Sequence, residues 1–245
     1  MKAKLKHIEK ERNVKILYAC ESGSRAWGFA SPDSDYDVRF IYSKPIEWYL
    51  KVSEGKDAIH ILEGAFDAVG WELKKQLQLL KKSNVPTLEH LFSPIVYLEK
   101  ETEMIRDLRD IASDCFSSVA SAYHYLSMSK KYIEKVDEDM VKLKSLFYAL
   151  RTSLAARWIV EHKTMPPVLF AKMLSLVADN ERDEILELIA IKSIENESYF
   201  YPKNELISNL LKRLLVENES YAKTLPAGNP DRDRIDRFLY ESLTV

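Results

Sequence analysis

Glycine is scarce in this chain, with six in 245 residues, and five of those six lie between Gly23 and Gly70. Backbone that only glycine tolerates is therefore confined almost entirely to the first third. Cysteine is scarcer. Cys20 and Cys115 stand far apart with no metal or redox spacing, which argues against a zinc cluster and agrees with reduced thiols in a cytoplasmic setting. No run approaches the ~18 apolar residues of a membrane span, and MKAKLKHIEKERNVK lacks the apolar core of a signal peptide. A net charge of −2 gives no global attraction for nucleic acid, so any anion site must be a local patch. Gly-x-Ser-x-Gly and Gly-Lys-Ser/Thr are both missing, so a serine-hydrolase or P-loop reading has no support. The five histidines (His7, His60, His90, His124 and His162) show no ligand spacing and read as structural. What remains, 46% hydrophobic and 30% charged, is a globular composition long enough for one large domain or two small ones.

The hydrophobic pattern changes along the chain. Residues 14–22 read as a buried strand ending at a Gly23-Ser24 turn, 25–29 as the start of a short helix, and Ser31 to Ser34 as a loop. In DYDVRFIY, Asp35, Asp37 and Arg39 alternate with Tyr36, Val38 and Phe40, as in a half-buried strand. Pro45 to Val52 suggests a short helix, 58–62 and 66–69 further strands, and 71–82 an amphipathic helix ended by Ser83, Asn84 and Pro86. From Glu99 helical periodicity dominates, with helices expected at 99–113, 116–136, 167–178, 181–194, 203–222 and 231–243. A stripe of Leu143, Phe147, Leu150, Leu154 and Trp158 marks a further one. The expected fold class is α+β: a small mixed-sheet catalytic domain over 1–95, then an all-helical domain over 96–245.

The chemistry lies in Gly23-Ser24-Arg25-Ala26-Trp27-Gly28 followed by Asp35-Tyr36-Asp37-Val38. Residues i and i+2 of a strand point the same way, so Asp35 and Asp37 present two carboxylates on one face. Hard divalent cations prefer oxygen, and two metals ~3.5–4 Å apart can share such a pair. Asp67, between Phe66 and Ala68, is the expected third ligand and a candidate to accept the proton of an attacking hydroxyl. Glu63 is its rival, and an N-cap for a helix over 70–82 is its plain structural alternative. The N–H groups and hydroxyl of Gly23 and Ser24 suit phosphate oxygens, with Arg25 or Arg39 adding a charge-assisted contact. Lys74 and Lys75 add positive charge near Asp67, and Trp27 and Trp71 read as packing residues.

Gly-Ser, a spacer, Asp-x-Asp and a later apolar-Asp-apolar resemble the DNA polymerase β-like nucleotidyltransferase superfamily. More closely, YACESGSRAWGFASPDSDYDVRFIY, FDAVGWELKK, KKSNVPTLEHLFSPIVY and YALRTSLAARW resemble the RlaP (YcgL-like) family of bacterial nucleotidyltransferases. The resemblance covers most of 17–160 and loosens over 165–245. It implies a polymerase β-like palm in which Asp35, Asp37 and Asp67 bind Mg²⁺, with Mn²⁺ as a substitute. Where the family has an acid after the tryptophan of its Gly-Trp motif, this chain has Glu72. Related enzymes supply a Lys and a Tyr from a helical domain. Lys144, Tyr148 and Arg151, at i, i+4 and i+7, form the corresponding stripe.

The expectation is a cytoplasmic, Mg²⁺-dependent nucleotidyltransferase that moves a nucleotide from a nucleoside triphosphate, ATP among them, to an acceptor and releases pyrophosphate. The family points to an RNA end, in repair or tailing. A protein or small-molecule acceptor is the alternative, as is a non-catalytic nucleotide sensor or antitoxin-like partner on the same fold. No membrane partner is expected, and the sequence leaves the oligomeric state open.

Overall fold

The computed structural model describes residues 1–53, 55–100, 102–136 and 138–244. In chain order its elements are α1 (Lys2–Arg12), β1 (Lys15–Glu21), α2 (Gly23–Trp27), β2 (Tyr36–Ser43), α3 (Ile46–Tyr49), β3 (Ala58–Glu63), β4 (Phe66–Glu72), α4 (Leu73–Leu80), α5 (Val85–Leu91), β5 (Val96–Glu99), α6 (Thr102–Cys115), α7 (Ser118–Ile133), β6 (Met140–Lys142), α8 (Leu143–His162), α9 (Asp179–Ile194), β7 (Phe200–Pro202), α10 (Glu205–Ala222) and α11 (Arg232–Thr244), with a 3-10 helix over Phe170–Leu176. The α+β class is as expected. The chain forms two compact units: residues 1–26, 35–116 and 229–245, and residues 27–34 and 117–228. The linear division at 95/96 runs across both of them.

The first unit is built on a five-stranded sheet of order β3-β4-β2-β1-β5. β2 and β4 run parallel and the other pairs antiparallel. One face carries Ile16, Ala19, Val38, Phe40, Tyr42, Ile59 and Ala68, and α1 covers it with Leu5 and Ile8. On the other face Trp71 lies against His90 of α5, ring centroids 5.3 Å apart. α4 packs on β2 and β4, and α6 and α11 pack on α4. α6 is fastened to the sheet side by Arg109, which donates to both oxygens of Glu99 on β5 at 3.3 and 2.7 Å and to the Leu91 carbonyl at 2.9 Å. α11 is fastened to α6 by an Arg234–Asp114 ion pair. These ties group α6 and α11 with the sheet, although periodicity assigns both to the helical half.

Several boundaries differ from expectation. β4 continues through Trp71 to Glu72, so the helix expected over 71–82 starts at Leu73. Glu72 caps it, accepting from the N–H groups of Lys74 and Lys75. That excludes Asp67 as the cap. Asn84 caps a helix where a break is expected, with Pro86 in the first turn of α5. Of the helix expected over 99–113, Glu99 ends β5, Glu101 lies outside the described residues, and α6 runs to Cys115.

In the second unit α7, α8 and α10 pack closely because small residues face one another. Ser129 and Ser153 share a 2.6 Å hydroxyl–hydroxyl hydrogen bond, and Asn218 donates to the Ser153 carbonyl at 3.0 Å. Residues 27–34 are part of this core: Phe29 is buried, 4.9 Å from Phe147 and 5.4 Å from Phe170 between ring centroids.

Burial, with the Arg39 guanidinium adding to it, pushes the His90 imidazole down from 6.5 to about 3. His90 therefore stays neutral in the folded chain, while the unfolded chain takes up a proton below pH 6.5. Its contribution is complete above pH 6.5 and is lost as the pH falls toward 3, by up to about 1.4 kcal/mol per pH unit. Urea unfolding at pH 7 and pH 5 should show this loss, and His90→Gln should reduce it.

Candidate functional site

Parallel pairing of β2 with β4 sets Asp37 directly opposite Asp67, Arg39 opposite Val69 and Ile41 opposite Trp71. Two carboxylates from distant parts of the sequence thereby stand side by side on one face, one strand spacing (about 4.8 Å) apart. Arg39, one step along the same face, reaches back between them. Its guanidinium donates to Asp37 Oδ1 at 3.0 Å and to Asp67 Oδ2 at 3.1 Å, and also to the Asp67 carbonyl at 3.2 Å. The carboxylate side chains are 30% and 35% exposed, so solvent and solutes reach them.

The Gly23-Ser24 turn adjoins this pair. Gly23 has φ +61°, and a methyl group there would run into the Asp37 carboxylate. Glycine thus serves two constraints at once, a left-handed backbone and the close approach of a side chain. Ser22 N–H donates to the Asp37 carbonyl at 2.8 Å. The Asp37 N–H donates to Glu21 Oε1 at 2.8 Å, and the Tyr97 hydroxyl donates to Glu21 Oε2. Glu21 is fully buried, and that burial raises its carboxyl above the ordinary range. It fixes the Asp37 backbone from the neighbouring strand.

The remaining nominated residues are distributed as follows. Asp35 precedes β2 and is exposed; its carbonyl accepts from Arg25 Nε at 3.1 Å, and the Arg25 guanidinium lies 4.2 Å above the Tyr36 ring. Ser24 is buried in α2 beside Gly23. Glu63, the rival to Asp67, pairs with Phe66 at the edge and forms an ion pair with Lys4. Among the described residues no group of three or more His, Cys, Asp or Glu side chains is arranged to hold a metal ion. Two of the three expected carboxylates meet, and Asp35 is not placed in a cluster with them.

In the second unit, Lys144 is paired with Glu197 at 2.6 Å. Tyr148 meets Trp27 edge to face at 5.3 Å, and Arg151 is buried with its guanidinium 4.1 Å above the Trp27 ring. Glu197 also accepts from the Ser34 hydroxyl at 2.9 Å, its N–H donates to Asp33 Oδ1 at 2.9 Å, and Lys192 donates to the Ser31 hydroxyl at 2.7 Å. The polar loop before Asp35 is therefore a held element. Glu21, Tyr97, Lys192 and Glu197 are all missed by motif reading. A charged residue inside an apolar strand, as in LYACE, is the one signal that could have found Glu21.

Compared with known proteins, residues 1–241 match the family model described as RlaP, RNA repair pathway DNA polymerase beta family. The uncharacterized protein YcgL of Bacillus subtilis (strain 168) is 41% identical over 244 residues, 98% of this chain and 94% of that protein. A crystal structure of a nucleotidyltransferase-like protein from Exiguobacterium sibiricum 255-15 covers 97% of this chain and 77% of its own, at 10% identity and a TM-score of 0.29.

Two glycine substitutions separate backbone strain from collision. Gly28 has φ +86°, but a methyl group there meets only Leu169 at 3.5 Å. Gly28→Ala should cost the backbone term alone, about 1–2 kcal/mol. Gly23→Ala should cost roughly 1–3 kcal/mol more, because Asp37 must move. Urea midpoints of the two variants give the comparison.

Proposed function

This chain belongs to the RlaP family, the RNA repair pathway DNA polymerase beta family, and from that membership we propose that it is a nucleotidyltransferase whose site is the Asp37–Asp67 face of the sheet. The observation that carries the reading is the in-register pairing of those two carboxylates beside the Gly23-Ser24 turn. A hydroxyl on the acceptor attacks the α-phosphorus of a nucleoside triphosphate, the new P–O bond forms as the bond to the bridging oxygen breaks, and pyrophosphate leaves.

The donor set suits a hard divalent cation. Asp37 and Asp67 offer carboxylate oxygens from rigid strands, are partly open to solvent, and already gather one cation, the Arg39 guanidinium. They would hold Mg²⁺ or Mn²⁺; Asp35, exposed just before β2, would have to turn toward them to complete the set. When bound, the metal would shield phosphate charge and lower the pKa of the attacking hydroxyl. Arg39 divides its role between holding the two aspartates together and neutralising incoming phosphate. Asp67 is the carboxylate proposed to accept the acceptor's proton. Gly23, Ser24 and Arg25 are proposed to contact the β- and γ-phosphates. Lys144, Tyr148 and Arg151 are the proposed helical contributors; Lys144 would have to leave Glu197 to act, and Arg151 is committed to Trp27.

An RNA end is the proposed acceptor, because the family description names RNA repair. The decisive test supplies Mg²⁺ or Mn²⁺ and each α-labelled triphosphate with pooled cellular RNA, pooled protein or neither. Label should enter RNA, and Asp37→Asn or Asp67→Asn should reduce transfer by more than about 100-fold, the upper end for losing even an outer-shell partner of a metal. Transfer persisting in both variants removes the proposal. Label in protein alone transfers the reading to a protein acceptor.

A further inference from the structure

β2 carries Asp37 near its start and Tyr42 near its end, on opposite faces of the sheet and roughly 16 Å apart along the strand. Tyr42 lines a cavity of about 440 Å³ together with Arg12, Lys44, Lys56 and His60. Among the described residues three basic side chains, Arg12, Lys44 and Lys56, line it, and no carboxylate does.

Among the described residues, the acids that act on Tyr42 are Glu72 and Asp57, and both are engaged elsewhere. Asp57 pairs with Lys75 at 2.8 Å, and Glu72 accepts from the Tyr49 hydroxyl and from two N–H groups of α4. Among the described residues neither Arg12 nor Lys56 forms a side-chain ion pair. Lys44 Nζ donates to the Arg12 carbonyl at 3.0 Å, and its other protons are available. Burial and the Arg12 guanidinium hold the Lys44 ammonium below its ordinary pKa, as expected where like charges are crowded without a counter-ion.

Tyr42 supplies an independent observation. Its side chain is wholly buried, and its hydroxyl has no hydrogen-bond partner among the described residues. A buried unpaired hydroxyl is costly, and a bound water or ion is one way to complete it. Burial, together with Glu72 and Asp57, keeps the phenol protonated, so it is a neutral donor.

We propose that the cavity formed by Tyr42, Arg12, Lys44 and Lys56 binds the phosphate group of a small phosphorylated metabolite. A phosphate monoester has several strong acceptor oxygens and a charge near −2, which these cations match and the hydroxyl can complete. The volume lies within the ordinary range for small-molecule sites. The site is remote from Asp37 and Asp67 and does not depend on the activity proposed for them.

The experiment titrates the intact chain with inorganic phosphate, ribose 5-phosphate, AMP and a short RNA oligonucleotide, following thermal stability and calorimetric heat, with acetate as the control anion. At least one of the first three should bind saturably where acetate does not, and the tightest of them identifies the substituent. Arg12→Gln/Lys56→Gln should weaken that binding at least about tenfold, the scale of one lost charge-assisted hydrogen bond. Tyr42→Phe should weaken it too, while raising the melting temperature of the unliganded protein. Asp37→Asn should leave it unchanged. The proposal is overturned if none of the three small phosphates binds, if only the oligonucleotide does, if the double variant keeps wild-type affinity, or if Asp37→Asn abolishes binding.

Discussion

Two like charges side by side on adjacent strands are a liability that the fold must neutralise, and Arg39 does so. Without that guanidinium the in-register pairing of Asp37 with Asp67 would set carboxylate against carboxylate across a parallel ladder. Arg39 is placed by the same alternation that places Asp37, two residues along one face. One eight-residue strand thus contributes an acid and the cation that lets that acid sit beside another. Gly23 presses on Asp37 from one side, and Glu21 fixes its backbone from the next strand. The site's rigidity comes from this set of short contacts within one sheet.

The loop that separates the two motif segments has a different origin. Its residues Trp27 to Ser34 belong with the helical unit, through Phe29 in an aromatic core and through Ser31, Asp33 and Ser34 bonded to Lys192 and Glu197. The chain leaves the sheet unit directly after the Gly-Ser turn and returns just before Asp35. Spacing between the motifs is therefore set by what the helical unit requires of eight residues, not by the sheet alone. Lys192 shows the strength of this demand: it is almost fully buried, and burial lowers its pKa, yet it is kept to hold one serine hydroxyl.

How much of this could be read from sequence depended on the range of the interactions. Strands β1 to β4 follow from apolar runs and alternation, because each pattern is local. Asp37 and Asp67 were legible for the same reason, each an acid set in an apolar strand. Their parallel pairing was not, since nothing local encodes which strands become neighbours. Asp35 has the right spacing from Asp37 but falls before the ladder begins, where alternation no longer governs its direction. Glu72 follows a tryptophan in the family's motif, and here it is the cap of α4; one acid meets both descriptions, and only backbone geometry separates them. α6 and α11 carry the periodicity of the helical half, yet single ion pairs at Arg109 and Arg234 tie them elsewhere. The basic cavity around Tyr42 gave no motif at all, because its cations come from three separated segments.

The grouping of residues 229–245 with 1–26 and 35–116 has a consequence for how the protein is made. During synthesis the sheet strands emerge well before the helix that packs on α4 and α6. At ordinary elongation rates the interval between Phe116 and Asn229 is on the order of ten seconds. For that time the nascent sheet has its hydrogen-bonded strands but lacks its final covering. The apolar side chains later met by Ile235 and Phe238 stay open to water, or to a chaperone, until α11 has been synthesised.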